Sequence, residues 1–353
     1  MLRNNTYEVK IGNVYIGKDH KIAIQSMCNI KTSKVDEVVS QILELENEGC
    51  DLIRVSILDE EDAYSLKEIV SRIHIPLIAD IHFSSKLAKL SIINGASKIR
   101  LNPGNLKDEN EIKEIIDLAK KHDVSIRIGV NSGSIPQEVI KENNYKMSTE
   151  IMLNILDSYI KIFEKYDFKN LVLALKSSSP LITLECYREA SKRYKYPLHI
   201  GVTETSIKDV GLIRSTIALA PLLIEGIGNT IRISLSDDPI EEIKACKRLL
   251  HDLGLYDNYY TIISCPMCGR TTANTKDIAE LAIKLLDKYK LNITVACMGC
   301  VVNGIGEGMQ ADLGIACSNK DNYVIFKKGK IIENVNLYNL YSRFEEHLKN
   351  WQK

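Results

Sequence analysis

Leu52-Ile53-Arg54-Val55, a helical pattern over residues 60–73, Leu77-Ile78-Ala79-Asp80-Ile81 and a second helical pattern over 85–94 form the stretch that sets the fold. Each short, mostly apolar run reads as a strand buried on both faces, and each longer segment repeats its apolar residues every three or four positions, as an amphipathic helix does. The same alternation extends in both directions. Upstream, Ile22-Ala23-Ile24 precedes a helix with Thr32 or Ser33 as N-cap and Gly49 as C-cap. Downstream, Lys98-Ile99-Arg100-Leu101, Ser125-Ile126-Arg127-Ile128, Leu171-Val172-Leu173-Ala174-Leu175, Leu198-His199-Ile200-Gly201-Val202 and Thr230-Ile231-Arg232-Ile233-Ser234 each lead to a helical pattern, over 109–121, 148–165, 181–194, 209–224 and 239–250. Eight such units predict an α/β fold, a (β/α)₈ barrel. An open doubly wound sheet would carry a Gly-x-Gly-x-x-Gly turn after an early strand, and none is present. Val9, Ile11, Val14 and Ile16 suggest a hairpin lid before the barrel.

Beyond residue 255 the rhythm changes. Strands at Tyr260-Thr261-Ile262-Ile263 and Ile293-Thr294-Val295-Ala296 flank a helix over 275–289; Leu313-Gly314-Ile315-Ala316, a hairpin-like 323–332 and a helix over 337–351 follow. This predicts a small α/β domain over 255–353, joined to a barrel domain over 1–254. Each of its first two strands ends in a cysteine pair, Cys265-Pro266-Met267-Cys268 and Cys297-Met298-Gly299-Cys300. Two Cys-x-x-Cys turns can supply a metal shell, either a zinc ribbon closed by all four thiolates or an iron–sulfur cluster.

The chain's 353 residues carry 46 basic and 46 acidic side chains and are 45% hydrophobic. No global field draws in nucleic acid or an anionic membrane, so an anionic ligand must be held by a local cluster. The opening residues lack an apolar signal core, no apolar run approaches the ~20 residues of a membrane helix, and the nine cysteines are odd in number. Together these predict a cytoplasmic protein that binds metal rather than forming disulfides.

Active sites of such barrels lie at the C-terminal ends of the strands. That position is taken here by Gln25, Ser26, Arg54, Asp80, His82, Arg100, Asn102, Arg127, Asn131, Lys176, Thr203, Glu204, Arg232 and Ser234. Four arginines and a lysine at one opening predict a phosphorylated ligand, since guanidinium forks match phosphate oxygens in pairs. One or two of these arginines are expected to pair instead with Asp80 or Glu204, and His199 is expected to be a wall residue.

Several of these segments resemble a known family. Gln25-Ser26-Met27, Ala79-Asp80-Ile81-His82-Phe83, Arg100-Leu101-Asn102-Pro103-Gly104-Asn105, His199-Ile200-Gly201-Val202-Thr203-Glu204, Cys265-Pro266-Met267-Cys268 and Met298-Gly299-Cys300-Val301-Val302-Asn303-Gly304 are similar, in order, to motifs of the 4-hydroxy-3-methylbut-2-enyl diphosphate synthases. The resemblance implies an oxidoreductase of the methylerythritol phosphate route to isoprenoids. Its reaction is the reductive ring opening and dehydration of 2-C-methyl-D-erythritol 2,4-cyclodiphosphate to (E)-4-hydroxy-3-methylbut-2-enyl diphosphate. It also implies a [4Fe–4S] cluster on Cys265, Cys268, Cys300 and Glu307, with Cys297 a bystander, and a flavodoxin or ferredoxin as electron donor. Further implications are Arg214 as a diphosphate ligand and a head-to-tail homodimer in which each cluster domain caps the partner's barrel. Glu204, directly after the seventh strand and within the family's Thr-Glu motif, is the expected general acid, its pKa raised by burial. Departures from the family pattern stand at Cys28, Ile30, Thr205-Ser206 (where Ala-Gly is usual), Arg214, Asn229, Ile305 and Cys317. The alternative is a barrel stabilised by a zinc ribbon and acting as a non-redox enzyme or binding module.

Overall fold

β-Branched and leucine side chains, which pack well on a pleated surface, dominate the strands of the first unit. The computed structural model describes residues 3–82, 84–102, 108–135, 148–269, 271, 273–300, 306–319 and 321–351. Contacts divide the chain into Met1–Leu255 and Tyr256–Lys353. The first unit opens with a hairpin, β1 (Val9–Ile11) and β2 (Val14–Ile16). Eight parallel strands follow: β3 (Ala23–Met27), β4 (Leu52–Ser56), β5 (Leu77–Asp80), β6 (Lys98–Leu101), β7 (Ser125–Asn131), β8 (Leu171–Lys176), β9 (His199–Ile200) and β10 (Thr230–Ile231). They pair in chain order from β3 to β8, β10 pairs with both β3 and β9, and a parallel bridge from Leu173 to Leu198 joins the two ends. The (β/α)₈ expectation is met. The helices are α1 (Val35–Glu48), α2 (Glu60–Arg72), α3 (Ser85–Ile93), α4 (Glu109–Lys121), α5 (Thr149–Lys165), α6 (Pro180–Arg193), α7 (Lys208–Ile224) and α8 (Pro239–Asp252).

Three local expectations need correction. The hairpin is not a lid over the mouth: Val9, Ile11 and Ile16 pack on Ala23, Leu52, Ile78 and Val172, at or near the start of their strands, and so plug the opposite end of the barrel. The cap of α1 is Lys34, with no side-chain cap bond, because Thr32 instead donates to the Ser56 carbonyl (2.6 Å); Gly49 does end the helix, in the left-handed region. β9 and β10 have two residues each rather than five. There the Tyr187 hydroxyl, reaching in from α6, donates to the His199 carbonyl (2.6 Å) and accepts from the Leu175 N–H (3.1 Å), linking β8 to β9 where the strand ladder is missing. Such buried bonds contribute about 1 kcal/mol each.

The second unit is a five-stranded sheet in the order β11 (Thr261–Ser264), β12 (Thr294–Met298), β13 (Leu313–Asn319), β14 (Asn322–Lys327) and β15 (Lys330–Asn336). Its first three strands are parallel and the remaining pairs antiparallel. Helices α9 (Thr275–Tyr289) and α10 (Leu337–Lys349) cover one face through Ile278, Leu286, Leu340 and Phe344. Among the described residues no helix is long and apolar enough to cross a membrane.

Candidate active site

Alternation along the barrel strands turns every second side chain inward, and near the C-terminal ends those side chains are charged. A cavity of about 230 Å³ opens there, lined by Arg54, Asp80, His82, Arg100, Arg127, Asn131, Lys176, Arg232 and Ser234, with Thr203. The structure thus brings together ten of the residues expected at the mouth. Asp80 is their buried counter-ion, 3.3 Å from Arg100 Nη1, 3.8 Å from Arg54 Nε and 3.6 Å from His82 Nε2. Burial alone would raise its carboxyl pKa, but Arg54, the His82 hydrogen bond, Arg100 and Arg127 outweigh that and hold it well below the usual range. Burial brings the Arg54 guanidinium down to about 10 despite Asp80, with Arg232 and Arg100 adding to the effect.

The second counter-ion is Glu242 on α8, which the sequence reading did not single out. Its carboxylate takes Arg232 Nη2 at 2.9 Å and Nε at 3.0 Å, the Ser26 hydroxyl at 3.0 Å and the Leu235 N–H at 3.1 Å. Such a fork–fork pair fixes the guanidinium plane. Glu204, expected to share this duty with Asp80, makes no ion pair among the described residues.

Lys98 is the other residue the reading passed over. It opens β6, is fully buried, and has Gln25 Oε1 at 3.5 Å. Around it lie buried polar atoms that have no partner among the described residues: Gln25 Nε2, Arg127 Nε and Nη1, and His199 Nε2. His199 is held through Nδ1 by the Thr230 hydroxyl at 2.8 Å, the wall role expected of it, and burial keeps the imidazole neutral.

Five predicted residues do not line the cavity, Gln25 and Ser26 among them. Glu204 is exposed rather than buried, and sits in the left-handed region (φ 53°) with Ser206 close behind (φ 96°), so the expected burial is absent. Asn102 is buried outside the cavity lining. Arg214 donates to the Ser178 carbonyl, just past the end of β8. Phe83 and residues 103–107 lie outside the described residues.

In the second unit the cysteine turns leave neighbouring parallel strands at the same end, since Ser264 pairs with Cys297. The Gly299 N–H donates to Cys265 Sγ at 3.0 Å, and the Thr271 hydroxyl lies 3.8 Å from Cys268 Sγ. Both turns thus carry a donor close to a sulfur. Cys268 is exposed and Cys300 half-buried, so both are accessible to an incoming group. Cys297 faces the other way, fully buried with Leu286, Leu313 and Phe344 beneath the helices, and burial pushes its thiol up to about 12. Glu307 begins a 3₁₀ turn, Glu307–Gln310, ahead of β13; residues 301–305 lie outside the described residues. Among the described residues no three His, Cys, Asp or Glu side chains gather around a single ion position. The thiols of Cys265, Cys268 and Cys300, the first buried and the other two open to solvent, nevertheless suit an iron–sulfur cluster, a thiolate-bound group that spreads its ligands over several irons.

The barrel resembles that of a solved dihydropteroate synthase from Stenotrophomonas maltophilia, with a TM-score of 0.50, 16% identity, and coverage of 70% of this chain and 98% of that one; this likeness concerns the fold alone. Family models match residues 6–247 as "GcpE TIM-barrel domain" and residues 261–350 as "GcpE protein C-terminal domain". The 4-hydroxy-3-methylbut-2-en-1-yl diphosphate synthase (flavodoxin) of Malacoplasma penetrans is 46% identical over 334 residues, 95% of this chain and 91% of that protein. That of Clostridium perfringens is 44% identical over 335 residues, 95% of each, and that of Caldanaerobacter subterraneus 44% over 352, all of this chain and 98% of its own. The chain therefore belongs to the GcpE family of 4-hydroxy-3-methylbut-2-en-1-yl diphosphate synthases.

Proposed function

We propose that this chain converts 2-C-methyl-D-erythritol 2,4-cyclodiphosphate to (E)-4-hydroxy-3-methylbut-2-enyl diphosphate in isoprenoid precursor biosynthesis, with electrons from flavodoxin, the donor in its relatives' names. The observation that carries this reading is the cavity itself, where four arginines and a lysine face one opening against two buried carboxylates. The doubly charged cyclic substrate takes two electrons and one proton, loses water, and leaves as a triply charged open diphosphate.

Arg54, Arg100, Arg127, Lys176 and Arg232 hold the phosphates, while His82, Asn131 and Ser234 offer hydrogen bonds to the substrate's oxygens. Asp80 and Glu242 orient the arginines. Asn102 and Arg214 act from outside the cavity lining, Arg214 by fixing the segment that follows Lys176. Glu204 gives the proton to the departing hydroxyl, which is a poor leaving group without one.

Cys265, Cys268, Cys300 and Glu307 would hold a [4Fe–4S] cluster, which supplies one-electron transfer and Lewis acidity when bound. The zinc-ribbon alternative needs Cys297 as its fourth thiolate, and the burial of that side chain beneath α9 and α10 disfavours it. The protein works as a cytoplasmic homodimer, a setting that suits a chain of nine cysteines with no disulfide among the described residues.

The test is anaerobic reconstitution with iron and sulfide, followed by assay of cyclodiphosphate turnover with reduced flavodoxin. A brown protein with about four irons per chain and open diphosphate as product is expected. Glu204→Gln should keep the iron and bind substrate, but lose about 100-fold or more in turnover. A colourless zinc protein without turnover would overturn the reading.

A further inference from the structure

Lys176 closes β8 opposite Asn131 and lines the cavity, yet among the described residues its side chain has no hydrogen bond and no ion pair. Its ammonium group lies against the backbone of Gly201, where an added Cβ would stand 2.8 Å from Nζ. The cationic groups near it are Arg127 on β7, Arg232 after β10, Arg54 on β4 and Arg100 and Lys98 on β6; His199 on β9 is the neutral imidazole. The carboxylates are Asp80, already shared by Arg54 and Arg100, and Glu242, already forked onto Arg232. With four guanidinium groups and two carboxylates, the empty cavity has two positive charges in excess before either buried lysine is counted. A guanidinium keeps its proton far more firmly than an ammonium, so a lysine gives way first. Burial, followed by Arg127, Arg232 and Arg54, holds the Lys176 ammonium well below its ordinary range, and Glu242 only partly opposes this.

We propose that Lys176 is an uncharged amine in the empty barrel and takes a proton from solvent as a multiply charged phosphate ligand enters, so that binding and protonation are one event. The ligand supplies the counter-charge that Lys176 lacks among the protein's own groups. Lys98, one layer deeper with Gln25 and Arg127 around it, stays neutral throughout. Linkage then fixes the sign: affinity falls as pH rises, because the bound form holds one more proton than the free form. This rests on the cavity being the diphosphate site.

The experiment is calorimetric titration of the reconstituted protein, without reductant, with 2-C-methyl-D-erythritol 2,4-cyclodiphosphate at about pH 8 in two buffers of different ionisation enthalpy. Uptake of about one proton per ligand is expected, with Kd rising by up to about tenfold per pH unit above neutrality. Lys176→Arg, permanently charged, should still bind while losing the uptake and flattening the pH profile; Lys176→Met should lose the uptake and bind more weakly. Lys98→Met should retain the uptake. Binding without uptake in the wild type, or full uptake in Lys176→Arg, would overturn the inference while leaving the function reading intact. Transfer of the effect to Lys98→Met would likewise overturn the assignment to Lys176. Failure of the cyclodiphosphate to bind the wild type at all would sink the function reading and this inference with it.

Discussion

Replacing Glu242 by Ala removes a carboxylate that satisfies two nitrogens of Arg232, the Ser26 hydroxyl and the Leu235 N–H at once. Breaking a buried pair by deleting one partner costs about 3–5 kcal/mol, mainly because the remaining charge stays buried and unpaired. Arg232 is 14% exposed at the side chain and faces the cavity, so water relieves part of that cost. The two neutral donors lose their acceptor as well, at about 1 kcal/mol each. The balance is about 4 kcal/mol, which for a unit of this size lowers the Tm of the barrel by about 8–16 °C. Differential scanning calorimetry reads this directly, and Glu242→Gln, which keeps the volume and loses only the charge, should fall by about half as much. The variant also leaves Arg232 as a free cation, so inorganic pyrophosphate should raise its Tm more than it raises that of the wild type. A Tm change below about 2 °C in both variants, with an equal pyrophosphate effect, would refute the assignment of Glu242 as the keeper of Arg232.

Three further outcomes are expected. Cys265→Ser, Cys268→Ser and Cys300→Ser should each lose reconstituted iron, whereas Cys297→Ser should keep most of it; iron loss in Cys297→Ser with Glu307→Ala unaffected would restore the four-thiolate site. Gly299→Ala places a methyl 2.6 Å from Thr271 Cγ2 and 2.9 Å from Thr275 Cγ2, which must push the Cys265 and Cys300 turns apart; iron retention should fall several-fold, and unchanged retention would show that the turns can yield. Ser206→Gly relieves a φ of 96°, a region that suits glycine, and should stabilise the barrel by about 0.5–1 kcal/mol in urea titration; a loss of stability would mean that the serine side chain holds the loop.

The sequence carried the barrel because its strands are buried on both faces and its helices on one, and this contrast in period survives without any tertiary information. It carried most of the mouth for a related reason: a polar residue ending an apolar strand has few places to point other than the opening. Glu242 escaped notice because an acidic residue in the first turn of a helix is ordinary, favoured by the helix dipole alone. Lys98 reads as a solvated strand start, and only closure of the barrel turns it inward. Glu204 reads as following a strand directly, but β9 ends at Ile200 and the left-handed backbone at Glu204 is set by the loop rather than by any local residue preference. The shortness of β9 and β10 was equally hidden, because Tyr187 replaces their missing ladder from a helix.

The apolar hairpin of β1 and β2 makes the barrel a blind well. With Val9, Ile11 and Ile16 stoppering its base, the described residues leave the well one doorway, so the spent molecule must back out along the route by which the next one arrives. Turnover at high substrate concentration should therefore be governed by traffic at that doorway, with product acting as a simple competitor for entry. A variant that loosens the stopper, such as Ile11→Ala, would open a leak for water from below without creating a second exit for a charged diphosphate.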